Sequence, residues 1–213
     1  MSDANRTQDL NSDKRRVATI AQGAWLVGLL VATVVLLSLG KDTARMLLRY
    51  DRIAILDAGE YWRLVTGHLV HDSFRHLALN LAAVAGLVAL FPRHYSWRGW
   101  VWIGLAGIVA IDVGFVWNEP HLEWYVGLSG LLHGVLAAGT IAWWRFESKA
   151  LALALTVVVI AKLAWEQLHG ALPLSGDMTV IVAAHLYGAI GGALAAGALW
   201  FVQQRWPGDV RPL

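Results

Sequence analysis

Six stretches of about 20 mostly apolar residues limit what this chain can fold into more than any other feature of it. They lie near 18–39, 75–92, 97–117, 129–145, 149–167 and 179–202, and each matches the length a helix needs to cross the hydrocarbon core of a bilayer. Lipid offers no hydrogen bonds, so the backbone of each stretch must satisfy itself, which calls for helices rather than an open sheet. Composition agrees, because a chain of 213 residues with 57% hydrophobic, 15% charged and a mean hydropathy of +0.53 is too apolar for a water-soluble domain. The expected fold is an all-α polytopic membrane protein, a bundle of six transmembrane helices.

The connections set the organisation. Residues 1–16 are polar and are expected to form a disordered segment, 17–204 the membrane domain and 205–213 a short tail. The first apolar run follows Lys14-Arg15-Arg16 without a small-residue cleavage site and is expected to remain as a span. One long connection, about 40–74, mixes Lys41, Asp42, Arg45, Arg49, Asp51 and Arg52 with Met46, Leu47, Leu48, Ile53, Ile55 and Leu56. That mixture suits short amphipathic pieces lying on the membrane surface.

Basic residues orient the chain. With the N-terminus inside, the inner segments carry Arg6, Lys14, Arg15, Arg16, Arg93, Arg98, Arg145, Lys149, Arg205 and Arg211, while the loops near 118–128 and 168–178 carry none. Both termini are therefore expected in the cytoplasm. The long outer connection, with Lys41, Arg45, Arg49, Arg52, Arg63 and the adjoining Arg75, runs against this count. Its length and the dominance of the first span outweigh it. A net charge of +2 gives no nucleic-acid signal, and the absence of cysteine excludes disulfides, thiol nucleophiles, Cys-ligated zinc and iron–sulfur clusters.

Polar groups inside spans are costly and are functional candidates first. Spans two, four and six run in the same direction and end at Phe91, Trp144 and Trp200 near basic residues, and His76, Ser129 and His185 each lie 15 residues before those ends. At 1.5 Å per residue each sits roughly 22 Å from the inner boundary, or about 8 Å below the outer surface of a core about 30 Å thick. Ser129 with His185 supplies a hydroxyl and the imidazole needed to deprotonate it. Gly188 and Gly192 follow His185, and Gly127, Gly130 and Gly134 surround Ser129, so the fourth and sixth spans are expected to approach closely. His76 and Asn80, four apart, face one way and can both donate to a developing oxyanion, as can the Ser129 backbone N–H at the opening of a helix.

These residues resemble the rhomboid family of intramembrane serine proteases, from about Glu60 to Ala195. WRLVTGHLVHDSFRHLALN (Trp62 to Asn80) looks like the family's Trp-Arg loop element running into the His and Asn of its second span, GLSG (Gly127 to Gly130) is similar to its Gly-x-Ser-Gly motif, and AHLYGAIGG contains its His-x-x-Gly-x-x-x-Gly. The resemblance implies a Ser129–His185 dyad without an Asp, His76 and Asn80 as oxyanion donors, no cofactor and no metal. TGHLVH, GLSGLLHG, KLAWEQLHG and AHLYG are similar to one branch, the rhombosortases. That likeness implies membrane-anchored substrates with a C-terminal Gly-Gly, apolar helix and basic cluster, in a bacterial inner membrane, with the site opening to the outer side. His133 stands where many rhomboids carry an aromatic packed against the catalytic His; it can stack there or perturb the base.

Other features have plainer readings. His68, His71 and His76 have spacings of three and five, unlike a helical His-x-x-x-His pair, and no HExxH motif occurs. His71 is expected to brace the surface loop, and Asp112, a lone carboxylate in the third span, to bond a neighbouring helix. Lys162 and Glu166, four apart near the outer end of the fifth span, read either as a self-neutralising pair or as groups at the lateral opening through which rhomboids admit substrate helices. The rival functions are a catalytically inactive relative that binds membrane helices, a general rhomboid protease with unrelated substrates, and a small transporter, for which no repeat is visible.

Overall fold

The computed structural model of the protein describes residues 23–92, 94–176 and 178–205. The expectations for the segment 1–16, for residues 18–22 of the first span and for the tail beyond Arg205 lie outside the described residues.

Each expected span is a helix. They are α1 (Gly23–Leu39), α5 (Phe74–Leu90), α6 (Trp97–Asn118), α7 (Ser129–Phe146), α8 (Lys149–His169) and α9 (Val182–Arg205), so observed and expected ends agree within about three residues wherever the chain is described. Serines set three of the starts. Ser73, Ser96 and Ser148 accept hydrogen bonds from the backbone N–H of His76, Gly99 and Leu151, at 3.2, 3.2 and 3.3 Å. Helices α6, α8 and α9 are long and apolar enough to cross a membrane singly, and α1 passes together with α2 (Lys41–Leu48), bent from it by 113°. Helices α5 and α7, of 17 and 18 residues, are shorter. The fold is that of an all-α polytopic membrane protein.

Helix α7 stands at the centre, packed against α5, α6, α8 and α9. Its closest neighbour is α9, and glycine is the cause: a Cβ on Gly188 would lie 2.0 Å from the Gly130 carbonyl oxygen, and one on Gly192 2.1 Å from that of Gly134. Lipid tails are as apolar as side chains, so this backbone approach, with the dispersion contacts it brings, is what favours association of the two helices. Farther in, Ile103, Ala138, Ala195, Ala196 and Leu199 form the buried seam of α6, α7 and α9. By contrast α8 turns Leu151, Leu153, Val157, Val158 and Ile160 outward as a lipid-facing surface.

The long connection folds as short pieces: α2, α3 (Arg52–Leu56) and α4 (Arg63–Thr66), with a two-residue strand β1 (Tyr50–Asp51) between α2 and α3. Strand β1 pairs antiparallel with β2 (Trp124–Tyr125), just ahead of α7, an element the sequence reading does not anticipate. Arg63 is the buried knot of the connection. Its Nε donates to Glu60 at 2.5 Å, and its Nη1 to the carbonyls of Met46 and Arg49 at 2.9 and 3.1 Å. Arg52 donates to the carbonyls of Phe115 and Val116 at 3.0 Å each, satisfying the C-terminal end of α6. Tyr50, Ile55, Ile111, Phe115, Tyr125 and Ala184 pack into the core that joins this cover to the bundle.

Candidate active site

Ser129 is the first residue of α7, and no side chain caps that helix. The amides of an uncapped first turn lack intrahelical acceptors and point at whatever stands before them. The chain enters through Gly127, whose φ of +123° disfavours any residue with a side chain, and whose N–H donates to the Gly67 carbonyl at 3.0 Å. A Cβ at Gly127 would also meet the His76 ring at 2.5 Å, so the missing side chain lets His76 lie directly against the turn that presents Ser129. Below, the Tyr125 hydroxyl donates to the Gly127 carbonyl at 2.6 Å. Burial pushes the Tyr125 phenol well up, so it stays neutral and keeps that bond.

Across the glycine-lined contact, the His185 Nε2 lies 2.9 Å from the Ser129 Oγ. This is the distance at which a hydroxyl donates to an imidazole. His133, one turn along α7, donates from Nδ1 to the Ser129 carbonyl at 2.7 Å and stacks on His185, with centroids 4.0 Å apart and planes 16° from parallel. Of the two expectations for His133, stacking is the one observed.

On α5, His76 is held by Asp72, whose carboxylate lies 2.8 Å from Nδ1. Asn80, one turn farther on, is buried at 4% exposure, and its Nδ2 has no hydrogen-bond partner.

The sequence reading misses one contact of this cluster. Glu166, only 3% exposed, reaches from α8 to His185, with Oε2 2.9 Å from Nδ1, and the same oxygen accepts from Lys162 Nζ at 2.6 Å. The ion pair with Lys162 is one of the two readings the sequence leaves open; the bond to His185 spans 19 residues and two helices, so no local spacing announces it. His133, Glu166 and His185 also offer nitrogen and oxygen atoms within 4.8 Å of one another, a grouping that could hold a metal ion. Both His185 nitrogens are already engaged, and a metal there would have to break the contact with Glu166 or with Ser129.

The remaining candidates sit elsewhere. Asp112 faces His68 of the long connection, Oδ1 to Nε2 3.4 Å, rather than a neighbouring helix. His71 is buried beside His76, ring centroids 5.0 Å apart, and neither of its nitrogens is hydrogen-bonded, so it braces the loop by packing alone. A cavity of about 220 Å³ opens between His121, Glu123, Trp124, Val126, Thr179 and Ile181, next to the segments that lead into Ser129 and His185.

Together these observations define a helical membrane protein with a serine–histidine pair set at the start of its central helix. A model of the Rhomboid domain matches residues 58–201, about two thirds of the chain. The chain belongs to the rhomboid family, a family of intramembrane proteases. No curated protein matches it.

Proposed function

We propose that this protein is an intramembrane serine endopeptidase in which Ser129 is the nucleophile, His185 the general base, and His76 and Asn80 the oxyanion donors. The observation that carries this reading is the 2.9 Å contact between Ser129 Oγ and His185 Nε2 at an uncapped helix start. As Oγ bonds to the scissile carbonyl carbon, its proton passes to Nε2 and the carbonyl π pair moves onto oxygen. In this reading Asn80 and the first amides of α7 donate to that oxyanion, and His76 does so from Nε2 when its ring carries both protons, because Asp72 holds the hydrogen on Nδ1. Collapse of the intermediate breaks the C–N bond, and the proton on Nε2 goes to the leaving amine. Water or an amine then attacks the acyl-enzyme.

A transmembrane substrate helix keeps its carbonyls in its own hydrogen bonds, so a nucleophile reaches one only where the helix is weak. Glycine supplies weakness, about 1 kcal/mol per position relative to alanine, and lets the backbone come close. A C-terminal Gly-Gly signal of the rhombosortase kind, at the outer edge of an anchor helix, therefore fits a site recessed about 8 Å from the outer surface. In this reading the membrane domain of residues 17–204 sits in a bacterial inner membrane, with the site opening outward.

Two measurements test the proposal. An alkyl fluorophosphonate should label the wild-type protein in membranes and leave Ser129→Ala unlabelled; equal labelling would refute Ser129 as nucleophile. A reporter with a C-terminal Gly-Gly, apolar helix and basic cluster should be cleaved, and its Leu-Leu version spared. Equal cleavage of both points to a general rhomboid with unrelated substrates, and cleavage of neither, with no labelling, to an inactive helix-binding relative.

A further inference from the structure

We infer that Glu166 is a positioning residue of this site, a carboxylate that holds the His185 ring in the tautomer and orientation a base for Ser129 requires, with Lys162 balancing its charge. The inference rests on the Ser129–His185 reading above and adds a third member to what the sequence presents as a dyad.

Donors and acceptors set the tautomer. A carboxylate that already accepts from an ammonium group can only accept from an imidazole as well, so the His185 proton sits on Nδ1. The lone pair is then on Nε2, the nitrogen 2.9 Å from Ser129 Oγ. Without the carboxylate, the imidazole is free to carry its hydrogen on Nε2, and in that tautomer it cannot take the serine proton. His133 does not compete, because its own Nδ1–H is spent on the Ser129 carbonyl.

Charge leads to the same conclusion. When the serine proton moves to Nε2, the ring becomes a cation while 5% exposed, and an unpaired cation there is costly. Glu166 is in direct contact and stays ionised throughout; no proton passes to it. Lys162 offsets the carboxylate in the resting state, which keeps the cluster near neutral inside the membrane. Among the described residues, the titratable and charged groups facing the ring are Ser129 and His133 from α7 and Glu166 from α8, with Lys162 behind it. From the α6 side, Asp112 is turned to His68 and Glu119 to the Tyr187 hydroxyl.

The test uses the full-length protein in membranes and the rate of Ser129 labelling by an alkyl fluorophosphonate, in which the Oγ–P bond forms, fluoride leaves and the serine proton goes to His185. Glu166→Gln should lower the rate at neutral pH by about 10²- to 10⁴-fold. It should also move the acid limb of the pH–rate profile to lower pH, because a neighbouring carboxylate favours the protonated imidazole. Glu166→Asp keeps the charge and should recover part of the rate. Lys162→Met removes the opposing cation and should move the acid limb the other way, to higher pH; it carries the test if the Gln protein fails to fold. A wild-type rate and profile for Glu166→Gln, or slower labelling with an unmoved acid limb, would overturn the inference while leaving the Ser129–His185 pair intact. Labelling of Ser129→Ala would instead overturn the reading on which the inference stands.

Discussion

A buried amide nitrogen without a partner costs about 1–3 kcal/mol, and the Asn80 Nδ2 is such a group. A buried Asn that merely joins two helices would spend that donor on a neighbour. An unspent donor one turn from His76 is better suited to an oxygen that arrives with the substrate. The two roles predict different variants. Asn80→Ala should leave the thermal unfolding midpoint in detergent unchanged or slightly raised, because it removes an unsatisfied group, while lowering reporter turnover about 10²- to 10³-fold. His76→Ala should show a similar loss of turnover. Unchanged turnover in both variants would make them structural. At this scale counting 1.5 Å per residue along the sequence sets one expected depth for His76, Ser129 and His185, and the structure brings His185 Nε2 to Ser129 Oγ and the His76 ring against Gly127. Counting could not find the Glu166 contact, since the rotation of α8 about its axis does not show in a run that is apolar on its lipid-facing side and its packed side alike.

Between elements, the contact of α7 with α9 decides whether nucleophile and base meet. The Gly-x-x-x-Gly pattern was legible, and so was its consequence, because small residues at a four-residue period mark a face where backbones approach. Gly192→Val should therefore force the helices apart at Gly134, where even a Cβ would lie 2.1 Å from the carbonyl oxygen. We expect loss of both fluorophosphonate labelling and thermal stability. Gly197→Ala is the control, with nothing within 4 Å of the added carbon, and should be neutral or mildly stabilising. The short β1–β2 ladder was not legible, because two-residue strands carry no alternation to read.

The turn leading into α5 has its own pH signature. Burial, reinforced by His76, lowers the His71 pKa to about 4. Above about pH 6.5 His71 is neutral folded or unfolded and contributes nothing. Between pH 6.5 and 4 the unfolded chain binds the proton and the folded one does not, so stability falls as pH falls, by about 3 kcal/mol in all. The unfolding midpoint of wild type should drop through that window, and His71→Leu should drop less. Parallel curves would show that His71 titrates alike in both states.

For the whole molecule, the open question of the sequence was orientation, because the long connection between the first two spans carries basic residues that the positive-inside count assigns to the cytoplasm. The structure shows how those charges are held. Arg45 pairs with Asp42 at 2.8 Å, Arg49 with Asp51 at 2.8 Å and Arg63 with Glu60 at 2.5 Å, while Arg52 closes the end of α6. Basic residues lie on aromatic rings at both ends: Arg49 on Trp124 at this one, and Arg98 on Trp97, Arg145 on Trp200, Lys149 on Trp144 and Arg205 on Phe201 at the other. Aromatic belts mark both interfaces of a membrane protein, so the proposed orientation rests on the count of Lys and Arg in the short connections. The proposed orientation places the turn between α7 and α8 inside, and places both the loop after α3 and the mouth beside His121 outside. The chain has no cysteine, so single cysteines can report this without background. In intact cells, a membrane-impermeant maleimide should label Ala58→Cys and His121→Cys, both at exposed positions, and should reach the equally exposed Glu147→Cys only after the membrane is opened. The reverse pattern would turn the bundle over, make Ser129 accessible from the cytoplasm and remove the argument for substrates anchored with their cleavage signal on the outer side.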